Sequence, residues 1–66
     1  MTPLTIRETD VLRLIANGLS AKQVAIELEI APRTVEHHLD HARLKTGTNN
    51  RVHLVAHAIH AGLLVE

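Results

Sequence analysis

The stretch that decides the fold is residues 20–39, SAKQVAIELEIAPRTVEHHL. Ser20 and Gln23 match a capping box, in which the serine hydroxyl accepts from a helical amide and the glutamine side chain accepts from the cap amide. Pro32 suits the first position of a second helix, because its missing N–H is not needed there. The stretch therefore predicts two helices, at about 21–28 and 32–45, joined by Glu29–Ala31. Helical spacing relates the apolar residues Ala21, Val24, Ala25 and Leu28.

The same signals continue outward from this stretch. Thr5 and Glu8 form a second capping box, so a first helix is expected to begin there and to stop at Gly18. Gly47 is expected to end the third helix in the same way. The chain has 66 residues, which is enough for one domain. We therefore predict a single all-α domain of four helices over residues 1–66.

The fourth predicted helix covers about 50–61, capped by Asn49 or Asn50, and it carries two apolar stripes. One stripe suits the core and contains Leu54, Ala58 and Ala61. A second, almost opposite stripe contains Val52, Val55, Ala56 and Ile59. Because a surface helix needs one apolar face, we predict that the second stripe is a dimer interface. The alternative is burial of this stripe under residues 1–4.

Composition excludes several classes of protein. The chain has no cysteine, which removes disulfides and cysteine-based zinc sites, and no aromatic residue, which removes stacking platforms for single strands and RNA. Seven basic residues balance seven acidic ones, whereas DNA-binding domains are usually basic. There is neither an apolar segment of the ~20 residues that span a bilayer nor a signal-peptide pattern. We expect a cytoplasmic protein without membrane association.

Two short helices joined by about three residues are typical of a helix-turn-helix unit, here at about 21–40. A purely structural helical hairpin has the same spacing. Val35, Leu39 and Ala42 predict the buried stripe of the second helix, with His38 half-buried beside it and hydrogen-bonded locally. The opposite, solvent-facing arc contains Arg33, Glu36, His37, Asp40, His41 and Leu44.

The sequence resembles the LuxR/GerE family of DNA-binding domains over about residues 4–64. The opening of the chain carries part of the resemblance, in Leu4–Glu8, Val11–Ala16 and Gly18–Ser20. The helix-turn-helix carries more of it, in Lys22, Val24–Ala25, Leu28, Ile30 and Arg33–Leu39. The closing helix adds Lys45, Gly47, Asn50–Arg51, Leu54–Ala56, Ala58 and Gly62–Leu63.

The resemblance implies a transcription regulator that binds double-stranded DNA with its third helix in the major groove and forms a homodimer through its fourth. Residues that match the DNA-contacting positions are Lys22, Arg33, Thr34, Glu36, His37, Asp40 and His41. Arg43 and Lys45 lie further along the helix and are weaker candidates. An ordinary solvated surface is the alternative for all of them. Glu36 and Asp40 depart from the family, in which cationic or neutral residues are frequent at these positions.

A different class of function also fits the neutral charge. The chain could be a protein-interaction module that forms a heterodimer with a larger LuxR-type regulator and modulates it. We predict no enzyme activity and no cofactor, because Glu36 and Asp40 lie on a convex helix face without a pocket. The pairs His37/His41 and His53/His57 have zinc-ligand spacing, but no further ligand completes a set, so no metal is predicted. As a hypothesis, protonation of histidines near pH 6 strengthens DNA binding.

Overall fold

A computed structural model describes residues 3–64 of the chain, and these residues form four helices and no strand. The helices are α1 (Ile6–Ala16), α2 (Ala21–Leu28), α3 (Pro32–Thr46) and α4 (Arg51–His60). The predicted all-α fold of four helices is confirmed. The bounds of α2, α3 and α4 lie within one residue of those expected, and α1 ends two residues before the expected stop at Gly18. Within the described residues, no helix has the length and apolar character needed to cross a membrane.

The helix starts follow the capping signals in the sequence. The Thr5 hydroxyl accepts from the Glu8 amide at 3.1 Å, and the Glu8 carboxylate accepts from the Thr5 amide at 2.9 Å. Ser20 and Gln23 make the same reciprocal pair at the start of α2. At α4 the cap is Asn50, whose side-chain oxygen accepts from an amide of the first turn. Three of the four helix starts are therefore fixed by local side-chain hydrogen bonds.

At two helix ends the C-cap residue itself has a left-handed backbone conformation. Gly47 ends α3 with φ of 68°, a conformation that glycine adopts without steric cost. Glu29 ends α2 with φ of 56° and ψ of 44°, although it carries a side chain. The next amide, from Ile30, then donates to the Ala25 carbonyl at 2.9 Å. This closure of α2 sets the direction of the turn that leads into α3.

The long helix α3 lies at the centre and packs against each of the other three helices. Its predicted stripe is confirmed, because Val35, Leu39 and Ala42 are all buried. Leu54 and Ala58 bring the inner face of α4 to the same core, whereas Ala61 is exposed beyond the end of the helix. The remaining buried apolar residues come from α1 and α2 and are Val11, Leu12, Val24 and Ala25.

Candidate nucleic-acid interface

The second helix of the helix-turn-helix, α3, presents an exposed face opposite its buried stripe. Exposed side chains on this face are Arg33, Glu36, His37, Asp40, His41 and Leu44. Their exposure agrees with the arc expected from 100° per residue. Thr34 is half-buried at the start of the same helix. Six of the seven sequence-predicted contact residues thus belong to one helix, and the seventh, Lys22, is exposed in the first turn of α2.

The start of α3 lacks a side-chain cap, as expected from Ala31 at the N-cap position. The Ala31 carbonyl accepts from the Thr34 amide at 2.9 Å and from the Val35 amide at 3.3 Å. Pro32 has no amide hydrogen and so needs no hydrogen-bond acceptor at this end of the helix. The positive end of the α3 dipole lies at this N-terminus, next to the side chains of the first turn, and it favours contact with anions.

Both carboxylates on the exposed face of α3 lie close to arginines. An Arg51 Nη2 donates to both oxygens of Glu36, at 3.0 and 3.2 Å. An Arg43 Nη2 lies 3.6 Å from Asp40, and its Nη1 donates to the Asn49 carbonyl at 3.2 Å. Because each acidic side chain has a cationic neighbour, this part of the face is close to neutral.

These four side chains line a groove of about 200 Å³ between α3 and the start of α4. The expectation of a convex face without a pocket was wrong at this point. It failed because helical periodicity describes one helix at a time, and the groove forms only where α4 returns against α3. Leu39, Asn50 and Leu54 complete its lining.

Glu8 has a buried ion-pair contact that the sequence did not predict. Its side chain is 3% exposed, and the carboxylate accepts from the Lys45 ammonium at 2.8 Å. His41 Nδ1 lies 4.0 Å from the second oxygen. Burial opposes ionisation, but hydrogen bonds from Lys45 and Thr5 outweigh it and lower the pKa of Glu8. The capping box indicated that Glu8 bonds to Thr5, but no local signal indicated a partner 37 residues away.

The pairing with Glu8 changes the interpretation of Lys45. The Lys45 ammonium also approaches the Pro3 carbonyl at 3.4 Å, and its side chain is only 21% exposed. Lys45 therefore ties α3 to the start of α1 and does not lie on the exposed face of α3. This contact argues against Lys45 as a phosphate ligand, a role for which it was already a weaker candidate.

The histidines of α3 differ in their surroundings. His37 and His41 are exposed, with ring centroids 5.7 Å apart. His38 is half-buried as expected, but no hydrogen bond from its ring is present among residues 3–64, contrary to the local bond that was predicted. Burial lowers the pKa of His38, and the Glu8 carboxylate partly opposes this effect. No cluster of three or more residues that could hold a metal ion occurs in the described part of the chain.

The outer face of α4 is apolar and open. Val52 is 80% exposed and Ile59 is 57% exposed, while Val55 is half-buried. The alternative prediction was that the N-terminal segment buries this face. Pro3 and Leu4 do not do so, since Val52 and Ile59 remain exposed, and residues 1 and 2 lie outside the described part of the chain. Ile15 and Ala16 of α1 join the α4 residues in lining an apolar groove of about 410 Å³. The contribution of α1 was missed, since it depends on how α1 and α4 pack.

Comparison with known proteins identifies the fold and the family. The family model described as bacterial regulatory proteins, luxR family, matches residues 2–58. The structure of the transcription factor GerE superposes with a TM-score of 0.87 at 27% identity, covering 94% of this chain and 92% of that one. A chain in the crystal structure of the phage VqmA–DPO complex gives 0.88 at 36% identity, covering 96% of this chain and 29% of that one.

Curated relatives are longer proteins. An HTH-type transcriptional regulator of Mycobacterium tuberculosis is 48% identical over 59 residues, which is 89% of this chain and 7% of that protein. The response regulator Rre1 of Synechocystis is 42% identical over 59 residues, which is 89% of this chain and 26% of that protein. This chain thus spans under a third of these relatives. It belongs to the luxR family of bacterial regulatory proteins and has the helix-turn-helix domain of its transcriptional regulators.

Proposed function

We propose that this chain binds double-stranded DNA in a sequence-specific manner and regulates transcription in the cytoplasm, with the N-terminal half of α3 in the major groove. The observation that carries the proposal is the two-sided character of α3. One side is buried against the core through Val35, Leu39 and Ala42, and the other side is exposed and polar. A helix held rigidly in this way can enter a groove that is wide enough to admit it.

The proposed contacts divide into two kinds. Lys22 and Arg33 are positioned for phosphates, since both are exposed near helix N-termini, where anions are favoured. The proposed base-reading residues are Thr34, half-buried in the first turn of α3, and four residues on the exposed arc of the same helix, namely Glu36, His37, Asp40 and His41. An imidazole can donate to or accept from base edges, and a carboxylate can accept from the cytosine amino group.

We infer in addition that two copies pair through the outer face of α4. The support is the open apolar surface of Val52, Val55, Ala56 and Ile59, extended by α1. Large apolar side chains that remain exposed in a small domain mark interaction surfaces. Two-fold pairing would place two α3 helices on successive half-sites of a symmetric operator. A heterodimer with a larger LuxR-type regulator would use the same face, and it is the second candidate function for that reason.

The experiment is a titration of the protein into random duplex DNA near pH 7 at several salt concentrations. With two phosphate ligands per protomer, log Kobs should fall with log salt at a slope of about −1.8 per protomer, doubled for a dimer. Selection of bound sequences should then yield a two-fold symmetric site. His37→Ala should weaken DNA binding without changing the association state.

The same titration also defines the result that would refute the proposal. If the folded protein binds no duplex even at low salt, DNA binding by this chain is refuted. A pull-down with a full-length luxR-family regulator then tests the interaction module, with Ile59→Asp as the matched variant that should abolish pairing. Retained pairing by Ile59→Asp would exclude the α4 face as the site of contact.

A further inference from the structure

Arg51 occupies a junction between two surfaces of the domain. It is the first residue of α4, and it lines both the polar groove beside α3 and the apolar groove on the outer face of α4. Its guanidinium bonds to Glu36, which lies 15 residues earlier on the exposed face of α3. The side chains of Arg51 and Glu36 are 45% and 51% exposed. The pair is therefore open to solvent and accessible to DNA.

Exposed ion pairs contribute little to folding stability, because water screens the charges and two long side chains must be held in one geometry. Glu36 nevertheless lies on the face that is proposed to meet a polyanion. A carboxylate free to move there would be repelled by phosphates and would have no fixed direction toward a base. The Arg51 guanidinium offsets the negative charge of Glu36 and restrains its carboxylate, so it reduces the repulsion and fixes the direction of the carboxylate.

We propose that Arg51 is a positioning residue for DNA recognition: its bond to Glu36 holds this carboxylate in one orientation on α3, where it selects a cytosine instead of repelling the backbone. This inference rests on the proposed function. One Arg51 nitrogen bridges both Glu36 oxygens, which leaves lone pairs on each oxygen for an incoming cytosine amino group. A residue of α4 thereby controls a contact made by α3.

The test is a double-mutant cycle with Arg51→Gln, Glu36→Gln and the double variant, measured as affinity for the selected operator. Arg51→Gln should weaken binding about tenfold when Glu36 is present, because the carboxylate is then unrestrained. In the Glu36→Gln background the same change should alter affinity about twofold or less, as for independent sites. The salt slope should stay the same throughout, because Arg51 is not proposed to contact phosphate.

Base selectivity provides a readout that a purely structural role would not move. Arg51→Gln and Glu36→Gln should lose preference at the same base pair of the operator. Arg13→Gln is the matched control, because it removes an arginine of similar exposure from its pair with Asp10 on α1. This control should leave selectivity unchanged. Glu36→Gln leaves α4 intact and tests the Glu36 contact by itself, and the cycle that tests the pair is measured at a temperature at which Arg51→Gln is folded.

The outcomes distinguish failure of the proposed DNA binding from failure of the proposed role of Arg51. If the wild-type chain binds no DNA, the proposed function fails, and this inference fails with it. If the wild type binds but Arg51→Gln weakens binding equally in both backgrounds, only this inference is overturned. A salt slope reduced by about 0.9 would then identify Arg51 as a phosphate ligand.

Discussion

Replacing Lys45 by methionine removes the ammonium that lies 2.8 Å from the Glu8 carboxylate while keeping an apolar side chain of similar length. The Glu8 side chain is 3% exposed, so water cannot replace the lost partner without a local rearrangement. The carboxylate would keep the hydrogen bond from the Thr5 amide, at 2.9 Å. His41 Nδ1, at 4.0 Å, is too distant for a hydrogen bond without movement.

The expected loss of stability follows from these contacts. Removing one partner of a buried ion pair costs about 3–5 kcal/mol. Because Glu8 keeps the bond from Thr5 and Lys45 is 21% exposed, we expect the loss of stability in Lys45→Met to lie at or below the lower end of that range, at about 2–3 kcal/mol. A chain of 66 residues has a total stability of roughly 3–10 kcal/mol. Lys45→Met should therefore lower the melting temperature by about 10–20 °C.

The assay is urea and thermal unfolding followed by circular dichroism at pH 7. Lys22→Met is the matched control, because Lys22 is exposed on α2, and its loss should change stability by about 0.5 kcal/mol or less. The double variant Glu8→Gln/Lys45→Met should be more stable than Lys45→Met alone, since no charge is left buried. A Lys45→Met protein as stable as the Lys22→Met control would refute the reasoning.

The acid limb of the stability curve gives an independent check on the same pair. The folded state lowers the pKa of Glu8 below its usual 4.5, because the bonds from Lys45 and Thr5 outweigh the effect of burial. The unfolded chain therefore takes up the proton first, and the stabilisation is present above about pH 4.5 and lost as the pH falls through the folded pKa. Glu8→Gln should show a weaker loss of stability below pH 4.5 than the wild type.

Three further predictions concern other parts of the domain. The proposed α4 interface predicts that the wild type sediments as a dimer and Ile59→Asp as a folded monomer, because Ile59 is 57% exposed and its loss spares the core; an unfolded Ile59→Asp protein or a monomeric wild type would contradict this. Burial lowers the pKa of His38, so the unfolded chain binds a proton more readily and the free energy of unfolding should fall from pH 7 toward pH 5.5. His38→Gln should flatten this slope, and an unchanged slope would exclude His38 as its source. Glu29→Gly should stabilise the domain by up to about 1 kcal/mol in urea unfolding, because glycine relieves the positive φ at this position; a loss of stability would show that the Glu29 side chain makes a stronger contribution.

Local signals predicted the helices well because their causes are local. The Thr5 and Ser20 capping boxes each involve residues three apart, and both are present in the structure. Gly47 ends α3 because its own backbone conformation permits it. The two candidates for the cap of α4 could not be separated by sequence, because both are asparagines, and the structure shows that the cap is Asn50.

The candidate site was predictable as a face but not as a set of contacts. Helical periodicity places Glu36 and Asp40 on the exposed side of α3, and both are exposed. It contains no information on which residue of α4 comes opposite, so the bond from Arg51 could not be expected. The pairing of Lys45 with Glu8 was missed for the same reason, since it depends on the angle at which α1 crosses α3.

The contact between Glu8 and Lys45 also has a consequence for the rates of folding and unfolding. Most helix contacts in this domain join neighbours along the chain, and small helical domains of this kind fold in microseconds to milliseconds. Glu8 and Lys45 are 37 residues apart, so their contact closes a large loop and is expected to form after the helices have assembled. An interaction absent from the transition state acts on the unfolding rate. We therefore expect this ion pair to slow the unfolding of the domain more than it speeds the folding.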